Sequence, residues 1–212
     1  MNRQVAEIER RILERLRDSD RLIVAIAGPP GSGKSTFAEA LFAQLCASVG
    51  DAVALFGMDG FHVDNAILDR RGLRDRKGAP ETFDATGYLH ALRRLRAVPK
   101  EPVALPVFDR SMDLSRAAAV TIGPEHRIVL TEGNYLLLDE TPWSDARRLF
   151  DLTIYLDTEE SILERRLRQR WLDLGLSPRD AEKRALGNDL PNARFIKRKS
   201  AASDVTLRMD DG

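Results

Sequence analysis

The sequence predicts a three-layer α/β/α fold, with helices on both faces of a five-stranded parallel sheet. Three observations carry this. Short, almost wholly apolar runs recur along the chain, as strands buried on both faces require. Between them lie longer stretches with apolar residues three and four apart, so strands and helices alternate as in βαβ units. A glycine-rich segment, GPPGSGKST, joins the first run to the first of these helices.

Taken in order, Val5, Ile8, Ile12, Leu13 and Leu16 form one face of an N-terminal helix within residues 1–18. Leu22–Ala27 is the first strand and the expected centre of the sheet. Further strands are predicted over 52–56, 127–131 and 152–156, with a weaker one over 204–209. Helices are predicted over 35–48, 86–96, 158–174 and 178–186. In the third of these, Leu163, Leu167, Trp171 and Leu174 make the core stripe. No repeat or linker divides the chain, so residues 1–212 read as one domain. Residues 59–84, rich in Arg, Gly and Pro toward their end, read as a substrate-side insert, and residues 158–192 as a lid region.

Composition excludes several classes. The chain has 212 residues, 43% hydrophobic and 31% charged, with 33 basic and 33 acidic side chains. That balance argues against a general nucleic-acid binder. One cysteine, Cys46, cannot make an internal disulfide, and its neighbours Phe42 and Leu45 make it packing. The longest apolar run, 22–28, is far below the roughly 20 residues of a membrane span. The start lacks the apolar centre of a signal peptide. A cytoplasmic protein, with neither membrane nor nucleic acid as partner, is expected.

GPPGSGKST fits G-x-x-x-x-G-K-[ST], with Gly28, Gly33, Lys34 and Ser35 at the fixed positions. Gly31 and Gly33 let the backbone curl, so that the amides around Ser32 and Thr36 turn toward phosphate oxygens. The following helix aims its positive end at the same anion. Lys34 would bridge the β- and γ-phosphates, and the Ser35 hydroxyl would ligate Mg²⁺, making ATP and Mg²⁺ the expected cofactors.

In open α/β sheets the ligand lies beyond the carboxyl ends of the strands. After the second strand come Asp59, Gly60, Phe61 and His62. Asp59 could take the proton of an attacking hydroxyl, or equally form a turn with Gly60. His62 is the histidine expected near chemistry; His90 and His126 have no partner at metal-ligand spacing. After the third strand comes Glu132, placed to act on Mg²⁺ or its waters, then Asn134 and Tyr135, which either reach substrate or shape the turn. Arg166 and Arg170 flank the stripe of the later helix as lid arginines for the γ-phosphate, whereas Arg165 and Arg168 point into solvent. The basic run from Arg70 to Lys77, broken by Asp75, reads as a solvated loop.

The order of P-loop, Asp59-Gly60-Phe61-His62, Glu132-Gly133-Asn134-Tyr135 and an arginine-bearing helix resembles the P-loop small-molecule kinases: uridine kinase, phosphoribulokinase and the bacterial pantothenate kinases. Arg71-Gly72-Leu73, Lys77-Gly78 and Pro80-Glu81 extend the likeness to pantothenate kinases. Over residues 22–209 the chain looks most like the shorter bacterial proteins described as "putative fructose transport system kinases". The resemblance implies that Asp59 is the catalytic base and Arg170 the lid arginine, with Asn188 and Asn192 lining the pocket. Phe108 and Arg110 stand where the related kinases usually carry Tyr and His, which places Arg110 on the substrate side.

The implied activity is transfer of the ATP γ-phosphate to a hydroxyl of a small metabolite, a sugar such as fructose first, with pantothenate or a nucleoside as alternatives. The rival class is a P-loop ATPase or switch acting on a protein; no Asn-Lys-x-Asp guanine motif is present to support a GTPase. A homodimer stays open.

Overall fold

The computed structural model describes residues 1–98 and 100–210. Its main sheet is five-stranded and wholly parallel: β2 (Val53–Gly57), β5 (Ile128–Gly133), β1 (Leu22–Ala27), β6 (Leu152–Thr158) and β7 (Val205–Met209), in that spatial order. β1 is central, as its composition requires: all six residues are buried. Its side chains alternate between two cores. Ile23, Ala25 and Ala27 enter one with Tyr88, Leu92 and Trp143; Leu22, Val24 and Ile26 enter the other with Phe37, Leu41 and Ile8. A strand with apolar layers on both sides has no polar face to show, which is why it reads as a continuous run.

Helices α1 (Asn2–Leu16) and α2 (Lys34–Val49) cover the second face, and Cys46 packs at its margin. α4 (Ala85–Arg96), after the short α3 (Asn65–Arg70), covers the first. α5 (Glu160–Asp173), α6 (Pro178–Arg184) and α7 (Leu190–Lys199) follow β6. The buried Arg21 guanidinium donates to the carbonyls of Leu95, Gly123 and His126, so one cation joins the end of α4 to the turn before β5. No helix among the described residues is long and apolar enough to cross a membrane.

Three features depart from the sequence reading. An antiparallel ribbon, β3 (Val103–Asp109) with β4 (Leu114–Ile122), lies outside the main sheet. Most of β4 is exposed and alanine-rich, so it lacks the apolar signature used for the other strands. The helix predicted over 178–186 ends at Arg184, passes through a π-type turn (Ala185–Asp189) and continues as α7. Leu174 lies just past α5 and is 51% exposed; the buried stripe there is Leu163 and Leu167 with Trp171 against it.

The ribbon is seated by a close approach. A Cβ on Gly60 would lie 2.3 Å from the Pro106 carbonyl oxygen, so only glycine lets β3 press on the turn after β2. That contact brings Phe108 and Arg110 to the carboxyl edge of the sheet.

Candidate active site

The P-loop leaves β1 at Gly28 and becomes α2 at Lys34. Gly33, at φ 87°, sits in the left-handed region that turns the backbone into the helix. A Cβ on Gly28 would lie 2.8 Å from the Leu156 carbonyl oxygen, so the loop is pressed against β6. The Ser32 hydroxyl is buried with no hydrogen-bond partner among the described residues. The Lys34 ammonium is buried too and donates to the Pro29 carbonyl at 2.9 Å. Burial pushes it down to about 8, opposed by Glu132 and Asp59. A buried hydroxyl without a partner and a buried cation at a helix N-terminus are the donor set a polyphosphate needs.

Glu132 lies within β5 rather than beyond its end, paired in register with Gly57. The missing side chain at Gly57 makes room, since a Cβ there would stand 3.2 Å from Glu132 Oε1. Burial raises the Glu132 carboxyl to about 7, with the Asp59 charge adding to it, while Lys34, Arg110 and a hydrogen bond from Ser35 pull the other way. Among the described residues no three acidic, His or Cys side chains cluster as a metal cage. One carboxylate and one hydroxyl beside a phosphate loop suit Mg²⁺, which keeps waters and takes phosphate oxygens.

Asp59 stands on the 3₁₀ turn Met58–Phe61 that follows β2. It lines one cavity of about 130 Å³ with Lys34, Ser35, Glu132 and Arg170. Arg110 Nη2 donates to Asp59 Oδ2 at 2.8 Å. Burial and the nearby Arg110 lower the Arg170 guanidinium, while Asp189 and Asp59 favour its charge.

The cavity continues into a second space of about 190 Å³ that holds His62, Asn134, Phe83, Phe108 and Asn192. The His62 ring is sandwiched between Phe83 and Phe108, at centroid distances of 4.0 and 4.5 Å. Burial lowers its proton affinity. Its Nδ1 meets the Asp59 carbonyl at 2.7 Å; a carbonyl only accepts, so Nδ1 carries the hydrogen.

Several residues fall elsewhere than expected. Tyr135 is fully buried and donates to the Gly78 carbonyl, bracing the insert from the core side. Asn188 donates to the Lys77 carbonyl at 3.0 Å and opens on a neighbouring hollow. Arg166, one turn from Arg170, meets the carbonyls of Gly31 and Asp210 and lines a separate hollow with Thr36 and Gln4. Other residues fall as expected: Arg168 pairs with Glu164 and Glu182 on the surface. His90 is exposed, and His126 Nδ1 accepts from the Gly123 amide.

Sequence reasoning also missed residues that line the site. Lys77, read as part of a solvated loop, is nearly buried and bonds Asp113 and Asn65, both at 2.7 Å, below the Phe108 ring. Trp171 Nε1 donates to Asp189 at 2.7 Å, and the Arg170 and Arg184 guanidiniums lie over its ring. Lys77 and Asp113 are 36 residues apart, and no local spacing announces such a pair.

Comparisons with known proteins point to one family. The profile of the phosphoribulokinase / uridine kinase family matches residues 23–177. A Schizosaccharomyces pombe protein named "putative uridine kinase" is 34% identical over 209 residues, covering 95% of this chain and 89% of that protein. The pantothenate kinase of Xanthobacter autotrophicus is 33% identical over 160 residues, 72% of this chain but 49% of that protein. Among solved structures, a Silicibacter sp. TM1040 protein described as a "putative fructose transport system kinase" superposes with a TM-score of 0.89 at 45% identity. The match covers 96% of this chain and 98% of that one.

Proposed function

This chain belongs to the phosphoribulokinase / uridine kinase family, and from that premise we propose that it moves the γ-phosphate of ATP to a hydroxyl of a small metabolite, with a sugar such as fructose as the first acceptor to test. The observation that carries this is the single cavity shared by Lys34, Asp59, Glu132 and Arg170. A phosphate-binding lysine and two acidic groups on one small space suit a group transfer; binding of a metal–nucleotide complex uses one acid and leaves Asp59 without a purpose.

In this reading the P-loop amides, the N-terminus of α2 and Lys34 hold the β- and γ-phosphates. Ser35 and Glu132 would hold Mg²⁺, which supplies charge neutralisation on the phosphate oxygens. Asp59 takes the proton of the acceptor hydroxyl as its oxygen bonds to the γ-phosphorus. The β–γ bridging P–O bond breaks, and its electron pair leaves with ADP. Arg170 faces the charge on the moving phosphoryl group. His62, Asn134 and Asn192, with Arg110, shape the acceptor side, and Asn188 supports it through the Lys77 backbone. Arg166 lines a separate hollow with Thr36 and Gln4, which this reading gives to the nucleoside end of ATP. The chain then works as one kinase domain, with 59–84 as the acceptor side and 158–192 as the lid.

Pantothenate and nucleosides are the next acceptors, since relatives bearing those names align over most of this chain. The test is ADP release from Mg·ATP across sugars, nucleosides and pantothenate. Stimulation by one small molecule supports transfer, whereas stimulation only by a protein partner overturns it in favour of a switch.

A further inference from the structure

Arg110 stands at the tip of the β3–β4 ribbon with its side chain half-exposed, and its bond to Asp59 is the only polar contact it makes among the described residues. Nothing else anchors it. The acids around it are already engaged. Asp113 is held by Lys77, Asn65 and Arg74. Asp189 receives the Trp171 N–H. Asp109 turns away to Ser111 and Arg116. His62, packed at tilted angles against the Phe83 and Phe108 rings, brings no acid to the space.

The cations are less fully engaged. Arg184 has an aromatic face and one long contact to the Asp75 carbonyl, at 3.4 Å. Arg170, in the kinase reading, faces the moving phosphoryl group. A hydroxyl approaching Asp59 therefore meets a carboxylate whose Oδ2 is capped by a guanidinium. The guanidinium takes one of the two carboxylate oxygens, so Arg110 must shift for an acceptor to pair with Oδ2. A neutral acceptor that displaced Arg110 would offer it only hydroxyl oxygens, without the charge of the carboxylate it gives up. An acceptor with its own oxyanion would take the guanidinium in a bidentate pair and free Asp59 in the same movement.

Resting on the kinase reading, we infer that the acceptor carries an oxyanion beside its reacting hydroxyl, and that Arg110 reads this group while uncapping Asp59. A carboxylate and a phosphate monoester share the chemistry. Arg110 is thereby a specificity-determining residue, and the preference runs against an uncharged sugar.

The test uses compounds matched except for charge: glycerate with glycerol, gluconate with glucose, pantothenate with panthenol, and fructose 6-phosphate with fructose. ADP release is measured with wild type and with Arg110→Met, which keeps the stem and removes the charge. The expected result is that an anionic member exceeds its neutral partner by about 100-fold or more in kcat/KM. Arg110→Met should lower that value by about 100-fold, chiefly through KM, and bring the pair within about tenfold, while ATP affinity and melting temperature hold. The carboxylate and phosphate arms tell the two sources apart. A neutral member turned over as well as its anionic partner overturns the inference and leaves the kinase reading standing. An unchanged anion-to-neutral ratio in Arg110→Met does the same. If no compound of either charge raises ADP release, the transfer reading fails and takes this inference with it.

Discussion

Replacing Asp59 with Asn separates proton transfer from everything else this side chain does. The amide keeps the size and an oxygen able to accept from Arg110, but it cannot take a proton. The structural cost is small, because the Arg110–Asp59 pair is partly solvated, with side chains 50% and 24% exposed. Pairs of this kind contribute about 1 kcal/mol or less, so the melting temperature should move by no more than about 4 °C. ATP affinity should stay level or rise slightly, because the phosphates are held by the loop and a nearby negative charge is removed. Turnover should fall by about 10²–10⁴, the scale of a lost general base, which is about 3–5 kcal/mol of barrier. The assay pairs steady-state ADP release, with an accepted substrate, with direct nucleotide binding to the same preparation. An Asp59→Asn variant that binds ATP and transfers phosphate at near the wild-type rate would refute the base and return Asp59 to a turn-forming role.

Lys34→Ala should abolish transfer and weaken ATP binding at least tenfold with a melting temperature level with wild type or above it, since what is removed is a buried cation that burial disfavours and not an apolar core side chain; calorimetry and a binding titration check it. Gly60→Ala should destabilise by about 1–3 kcal/mol, because the new Cβ meets the Pro106 carbonyl at 2.3 Å. It should also lower acceptor kcat/KM more than ATP affinity, and equal losses in both would count against the ribbon as an acceptor-side element. For Glu132 the sign runs through its raised carboxyl: the folded state binds the proton more tightly, so stability is lost as pH rises from about 4.5 through about 7. In the absence of nucleotide and metal, Glu132→Gln should melt above wild type at pH 8, by an amount on the order of 3 kcal/mol, and level with it at pH 4. No gain at pH 8 would refute the buried-carboxylate reading.

What was legible followed from local chemistry. β1 declared itself because both its faces are apolar, and the P-loop because its glycines, lysine and serine must stand at fixed intervals in one turn. Asp59 and Glu132 could be singled out because strand ends share one edge of a parallel sheet. The ribbon could not be read: β4 shows solvent a row of small and polar residues, and what seats β3 is the absence of a side chain at Gly60. Lys77 was hidden for a related reason, since its charge reads as solvated until Asp113 is brought to it by the ribbon turn. Tyr135 could be read two ways, as reaching substrate or as shaping the turn. A tyrosine after a strand end fits a ligand or a core equally well, and only packing against Phe83 and Trp143 decides between them.

The seating of the ribbon also bears on how such a protein diversifies. The nucleotide half hangs on β1, whose amides are enclosed by neighbouring strands and two apolar layers, so their hydrogen exchange should require global opening. The ribbon is rooted in the first core at one end by Val103, Leu105 and Ile122 and seated by Pro106 over Gly60, while most of β4 faces water. Exchange over the exposed stretch of β4 should be fast by comparison. In the proposed reading, changes at Phe108 or Arg110 fall at the distal end of the ribbon and leave β1 and the phosphate loop intact. A lineage can exchange one acceptor for another by rewriting a few ribbon positions, without passing through a form that has lost its grip on phosphate.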